Sequence, residues 1–195
     1  ENNPFVHSLK YIPKVVTGCI WESTLGGCKG RTLHYRPLHT LTYLVTWQVS
    51  SEPWLFHVVH LVYFLAAVFL VFALIRLLTK SSFAAFLTGL FFLSHPINTE
   101  VVSWVSTATD LLLVIFVLLT LISWMKYREK KSMRYFAQAL VFYFLAMLSK
   151  EPAVIILPGL ILSLDVLIFR DKARLLWKQL REYFLFSVPF FIYFS

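Results

Sequence analysis

Charge is scarce in this 195-residue chain: 14% of its residues are Asp, Glu, Lys or Arg, where a soluble domain averages about 25%. Hydrophobic residues make up 58% and mean hydropathy is +0.71. That balance excludes an ordinary soluble domain and predicts a membrane protein. The segment Glu1-Asn2-Asn3-Pro4 has neither a starting Met nor a charged stretch before an apolar run, so no signal peptide is read there. The net charge of +8 invites a nucleic-acid reading. The cations, however, cluster in short groups beside apolar runs, which is the pattern of membrane topology, and no nucleic acid is expected as a partner. There are only two cysteines, Cys19 and Cys28, flanking a turn with Gly26, Gly27 and Gly30. A bridge and two separate thiols both remain open.

The chain divides into two regions. Residues 1–52 form a polar, proline-containing loop region, and residues 53–195 form a helical membrane bundle. From Leu38, the apolar residues Leu41, Leu44, Val45 and Val49 recur at helical spacing and predict an amphipathic helix lying at the interface. Apolar spans follow near 54–78, 83–94, 110–126, 135–149, 153–169 and 183–195. The first is long enough to cross a core of about 30 Å, with Arg76 snorkelling at its end. Several others are short, so either the bilayer accommodates them or the helices extend into the polar connectors. Pro158 predicts a kink, and His57 and His60 read as interfacial histidines sharing one face. The chain ends inside an apolar run and is expected to be a piece of a longer protein, truncated at both ends.

Cation placement sets the orientation. The connector 126–134 carries five cations and one anion, 170–182 carries five against two, and Arg76 and Lys80 bracket a third. These alternate with the connectors at 94–110 and 149–152, so the basic set is cytoplasmic. The outer or lumenal face then receives residues 1–52, Ser94–Asp110 and Ser149–Pro152. Ser94–Asp110 lies between apolar spans yet contains His95, Asn98, Glu100 and Asp110 and no Lys or Arg. Backbone and side chains this polar should face water, protein or a substrate, not lipid. Carboxylates beside cations suit a reaction that deprotonates a hydroxyl while a phosphate leaves. The alternatives are structural: His95-Pro96 as a helix end, Glu100 and Asp110 as anions at helix N-termini, and Lys150-Glu151 as a solvated turn. Asp165 is expected to form an interfacial ion pair with Arg170.

Four motifs occur in order: Tyr35-Arg36-Pro37-Leu38 with Leu41-Thr42; His95-Pro96-Ile97-Asn98-Thr99-Glu100-Val101-Val102; Asp110-Leu111-Leu112; and Ser149-Lys150-Glu151. Together they resemble the membrane half of the O-mannosyltransferases that carry tetratricopeptide repeats, and their bacterial relatives, all of the GT-C superfamily. The resemblance covers nearly the whole chain. It implies an all-α polytopic membrane protein, a GT-C-like transmembrane helix bundle with an outer-face loop region. It also implies a glycosyltransferase that moves mannose or another hexose from a polyprenyl-phosphate donor to a protein or glycan hydroxyl. The catalytic acidic pair of that family lies upstream of the position of Glu1, so this piece alone is expected to be inactive. Arg36 and Lys150, with His95 as a weaker third, are expected to bind the donor phosphate. Glu100 and Asp110 are supporting candidates, and Tyr35, Asn98 and Glu151 contact the sugar or acceptor or give structural support. Family members often have a basic residue just before the position of Asp110, where this chain has Ala108-Thr109. No cofactor is implied beyond the lipid-linked donor, no metal site is assigned, and a divalent-metal requirement stays open. The partners are membrane lipid, the donor and the acceptor. The expected location is a bacterial inner membrane or an endoplasmic-reticulum membrane, with the active face periplasmic or lumenal. The competing readings are a transporter or flippase and a non-catalytic membrane scaffold for an appended repeat domain.

Overall fold

The computed structural model describes residues 6–17 and 36–168. The two cysteines, Tyr35, the connector 170–182 and the expected span 183–195 therefore lie outside the described residues. Among the described residues there are helices and no strand. The elements are a 3₁₀ turn at Leu9–Tyr11, α1 (Ile12–Thr17), α2 (Pro37–Val49), α3 (Pro53–Thr79), α4 (Ser82–Ser94), α5 (Ile97–Ser103), a 3₁₀ turn at Val105–Thr107, α6 (Ala108–Lys130), α7 (Met133–Ser149) and α8 (Ala153–Leu167).

The helices alternate in direction between two chemically distinct ends. At one end proline opens the helices: Pro37 and Pro53 occupy their first turns, and Pro96 and Pro152 are the N-caps of α5 and α8. Proline suits a helix start because its fixed φ is already helical and the N–H it lacks would be unpaired there anyway. At the other end the turns are Lys80-Ser81 and Lys131-Ser132. Each lysine adopts a left-handed conformation, φ 57° and 51°, and its N–H closes the preceding helix on Arg76 O and Tyr127 O. Ser81 then caps α4 by accepting from the Ala84 N–H at 3.2 Å.

Among the described residues, two helices are long and apolar enough to cross a membrane: α3, with 27 residues, and the segment Val105–Lys130 that contains α6. At 1.5 Å per residue α3 is about 40 Å long, more than the roughly 30 Å of a hydrocarbon core. Helices α4, α7 and α8 are apolar but only 13, 17 and 15 residues long. The most extensive packing is α6 against α7, followed by α3 against α4 and α6. The core of the α6–α8 layer is built from Leu121, Trp124, Phe136, Tyr143, Met147 and Leu157. On the other side, α4 buries Ala85 and Gly89, and Phe92 stacks on Phe64 of α3 at 6.1 Å.

Buried polar groups in these apolar helices are satisfied locally, as a site without water demands. The hydroxyls of Thr120 and Ser149 donate to Phe116 O and Leu145 O at 2.7 and 2.9 Å. Helix α8 runs through Pro158. A proline there removes the helical donor to Val154 O, and the Tyr143 hydroxyl reaches that carbonyl from α7 at 3.4 Å.

Asp165 packs inside the bundle. It is fully buried, and its Oδ1 lies 3.3 Å from Nε of Arg128 and accepts from Trp124 Nε1 at 3.1 Å, tying α8 to α6 at the lysine end. Arg170, the partner expected from proximity in sequence, lies outside the described residues. Arg128 and Trp124 come from a different helix.

Candidate functional site

The proline end holds two ion pairs assembled from three separate parts of the chain. Arg36, the N-cap of α2, contacts Glu151 through Nε at 3.2 Å and Nη2 at 2.9 Å. Lys150 Nζ contacts Asp110 Oδ1 in the first turn of α6. Lys150 closes α7, and Glu151 with Pro152 forms the two-residue turn into α8. Because Lys150 and Glu151 are adjacent, their two pairs lie side by side, and their Cα atoms are about 3.8 Å apart. These side chains are 19–41% exposed, so the cluster is open to an incoming ligand. It joins two cations to two carboxylates.

The other expected residues divide. Asn98 is buried, and its Nδ2 donates to Phe92 O, which fixes the α4–α5 turn. His95 is exposed and caps α5 locally: its Nδ1 accepts from the Ile97 N–H at 3.3 Å, and its ring meets Phe91. Glu100 is exposed and forms no ion pair among the described residues. His95 and Glu100 thus stand apart from the two ion pairs. Tyr35 lies outside the described residues. Among the described residues no three His, Cys, Asp or Glu side chains converge as a metal site would require.

Three residues not assigned to the site from sequence position its wall. His57 and His60, three residues apart on α3, share one side of the helix but differ in burial: His57 is exposed, whereas His60 is buried. His60 Nε2 lies 2.8 Å from Val101 O and 3.2 Å from Thr107 Oγ1. From α2, the Tyr43 hydroxyl donates to Val105 O. These contacts hold the polar stretch that ends at Asp110. Burial, together with the nearby Tyr63, pushes the Tyr43 phenol up to about 12. His39, beside Tyr43 on α2 with ring centroids 4.5 Å apart, has a buried Nε2 that forms no hydrogen bond. Burial, followed by the positive Arg36 and by His60, lowers His39 to about 4, so it is neutral at physiological pH. The signal for these residues in the sequence is faint: a polar side chain recurring every three to four residues on an otherwise apolar helix.

Helix α2 also forms one wall of an apolar groove of about 350 Å³ with the start of α3, lined mainly by Leu38, Leu41, Val45, Val49, Leu55 and Val59. It begins two residues beyond Arg36.

Residues 40–195 match the family model of the dolichyl-phosphate-mannose-protein mannosyltransferases. The chain belongs to that family. The match takes in Asp110, Lys150 and Glu151 and begins just after Arg36. The chain is also similar to the human protein O-mannosyl-transferase TMTC2, 32% identical over 94 residues, which are 48% of this chain and 11% of the relative. The TMTC2 proteins of Xenopus laevis and Drosophila melanogaster are 35% identical over 94 residues and 31% identical over 128; the fly match covers 62% of this chain and 14% of the relative. The matched region is therefore a small part of each relative's length. No solved structure matches. The mannosyltransferase family expected from the four motifs is the one the comparisons show.

Proposed function

We propose that this chain forms the donor-phosphate end of a multi-pass protein O-mannosyltransferase. The enzyme transfers mannose from a polyprenyl-phosphate carrier to a protein hydroxyl, with the proline end on the outer or lumenal side. The observation that carries the reading is the convergence of Arg36–Glu151 and Lys150–Asp110 at one open end of the bundle, in a chain of this family. In the reaction the acceptor oxygen attacks the anomeric carbon, the bond from that carbon to the phosphate oxygen breaks, and the phosphate leaves with a growing negative charge. The acceptor's hydroxyl proton passes to a carboxylate, which the family resemblance puts upstream of Glu1. Arg36 and Lys150 neutralise the leaving phosphate through charge-assisted hydrogen bonds. The two-plus-two charge balance gives Glu151 and Asp110 a purpose: they hold both cations in place before the donor arrives and share them with the phosphate once it is bound. The groove beginning at Leu38 accepts the isoprenoid chain, whose apolar surface matches its lining. The charge arrangement supports the orientation: among the described residues the proline end is neutral overall and the lysine end carries the excess of cations.

The test uses the full-length protein with Arg36→Ala and Lys150→Ala, following transfer of labelled mannose from the lipid-linked donor to an acceptor peptide. Loss of one cation contact to a phosphate should lower kcat/KM for the donor by roughly 10²-fold or more, with little change in KM for the acceptor. Unchanged turnover and donor affinity in both variants would remove the phosphate assignment.

A further inference from the structure

We propose that the lysine end of the bundle is a docking surface for anionic phospholipid headgroups. The proposal rests on the multi-pass reading above, which puts this end at a membrane surface. Seven of the described cations gather there (Arg76, Lys80, Lys126, Arg128, Lys130, Lys131 and Arg134) against only two carboxylates, Glu129 and Asp165. Both carboxylates are already engaged: Glu129 by Lys80 at 2.9 Å, and Asp165 by Arg128 and Trp124. Lys126, Lys130, Lys131 and Arg134 therefore have no carboxylate partner among the described residues.

Aromatic rings restrain three of these cations. Lys126 and Lys130 both stand over the ring of Tyr135, at 5.9 and 5.5 Å from its centroid, so their ammonium groups are at most about 11 Å apart. Lys131, in the turn between α6 and α7, stands over Tyr127 at 5.4 Å. Cation–π contact restrains a lysine without cancelling its charge. The result is two like charges sharing one ring, with Lys131 next to Lys130 in sequence, an arrangement that an anion relieves.

The surroundings indicate that the anion is carried by a lipid. Met133 lies between Lys131 and Arg134 in sequence and is 65% exposed; Phe83, three residues beyond Lys80, is 72% exposed. A free phosphate would neutralise the lysines without contacting these side chains. An amphiphile covers both, with its headgroup on the cations and its acyl chains along the apolar helix surfaces.

The experiment places the full-length protein in nanodiscs of phosphatidylcholine containing a minor fraction of fluorescent phosphatidylserine and measures enrichment of that lipid at the protein. Wild-type protein should enrich phosphatidylserine, less so as salt rises. Lys126→Gln with Lys130→Gln should weaken the enrichment roughly 25-fold, since each basic residue near the surface is worth about fivefold. Lys10→Gln, which alters a ring-bound lysine on the first turn of the chain, should leave it unchanged. Equal enrichment in wild type and the double variant would overturn the proposal, as would displacement of the lipid by equimolar inorganic phosphate. Failure of wild type to enter the discs would overturn the multi-pass reading and this proposal with it. Entry without preference for phosphatidylserine would overturn this proposal alone, and mannose transfer measured in the same discs reports separately on the proline end.

Discussion

Replacing Asp165 by leucine tests how the bundle is held together at the lysine end. Asp165 has no exposed surface, the Arg128 side chain is 4% exposed, and the two lie 3.3 Å apart. Removing one member of a buried ion pair costs about 3–5 kcal/mol, because the remaining charge keeps its desolvation penalty without the attraction that offset it. Trp124 Nε1 loses its acceptor as well, adding about 1 kcal/mol. Leucine has the branched shape of the carboxylate side chain but a larger volume, so no cavity forms and any overpacking adds to the loss. For a unit of this size each kcal/mol shifts Tm by about 2–4 °C, which puts the variant roughly 8–24 °C below wild type. The assay is thermal loss of the monodisperse full-length protein in detergent. The double variant Arg128→Met with Asp165→Leu should recover most of the loss, because replacing both partners by apolar groups is often neutral or stabilising. A single variant within 1 °C of wild type would refute the reasoning, as would a double variant as unstable as the single one.

Two further outcomes are expected. His39 is at about 4 in the fold against 6.5 when exposed, so between those values the unfolded chain binds more protons than the folded one. Stability should therefore be full above about pH 6.5 and fall as pH drops toward 4, by up to about 3 kcal/mol, and His39→Gln should flatten this part of the pH–stability profile. His60→Leu removes the contacts to Val101 O and Thr107, each worth about 1 kcal/mol. Amide hydrogen exchange across residues 101–110 should then accelerate roughly fivefold or more while α7 is unaffected, and equal exchange in both forms would show that His60 does not restrain this stretch.

Much of the helical layout was legible in the chain because its signals are local. The apolar run after Trp54 is long enough to be read directly as a helix, and it is observed at Pro53–Thr79. The stripe Leu38, Leu41, Val45 and Val49 announced the helix at Pro37–Val49. Ser94–Asp110 was read as a polar connector; it contains a short helix and a 3₁₀ turn instead. Only the clamps from His60 and Tyr43, residues 41 and 62 positions away from the carbonyls they bind, show how it is held. Arg36, Asp110, Lys150 and Glu151 were identifiable as residues of interest from motif order. Which carboxylate faces which cation was not, because the pairs span 115 and 40 residues.

The amino-acid order by itself determined that the chain is helical and apolar and that its family is that of the dolichyl-phosphate-mannose-protein mannosyltransferases. Propensity, hydropathy and turn chemistry act over a few residues, so they can be read without the fold. Only the tertiary structure decided that Asp165 belongs to Arg128 and Trp124 and that His60 is buried while His57 is exposed. It also decided that Arg36 and Lys150 each stand against a carboxylate at one open end. Those outcomes depend on which helix faces pack together, and a partner's identity at a packed interface is set by distant residues that no local pattern specifies.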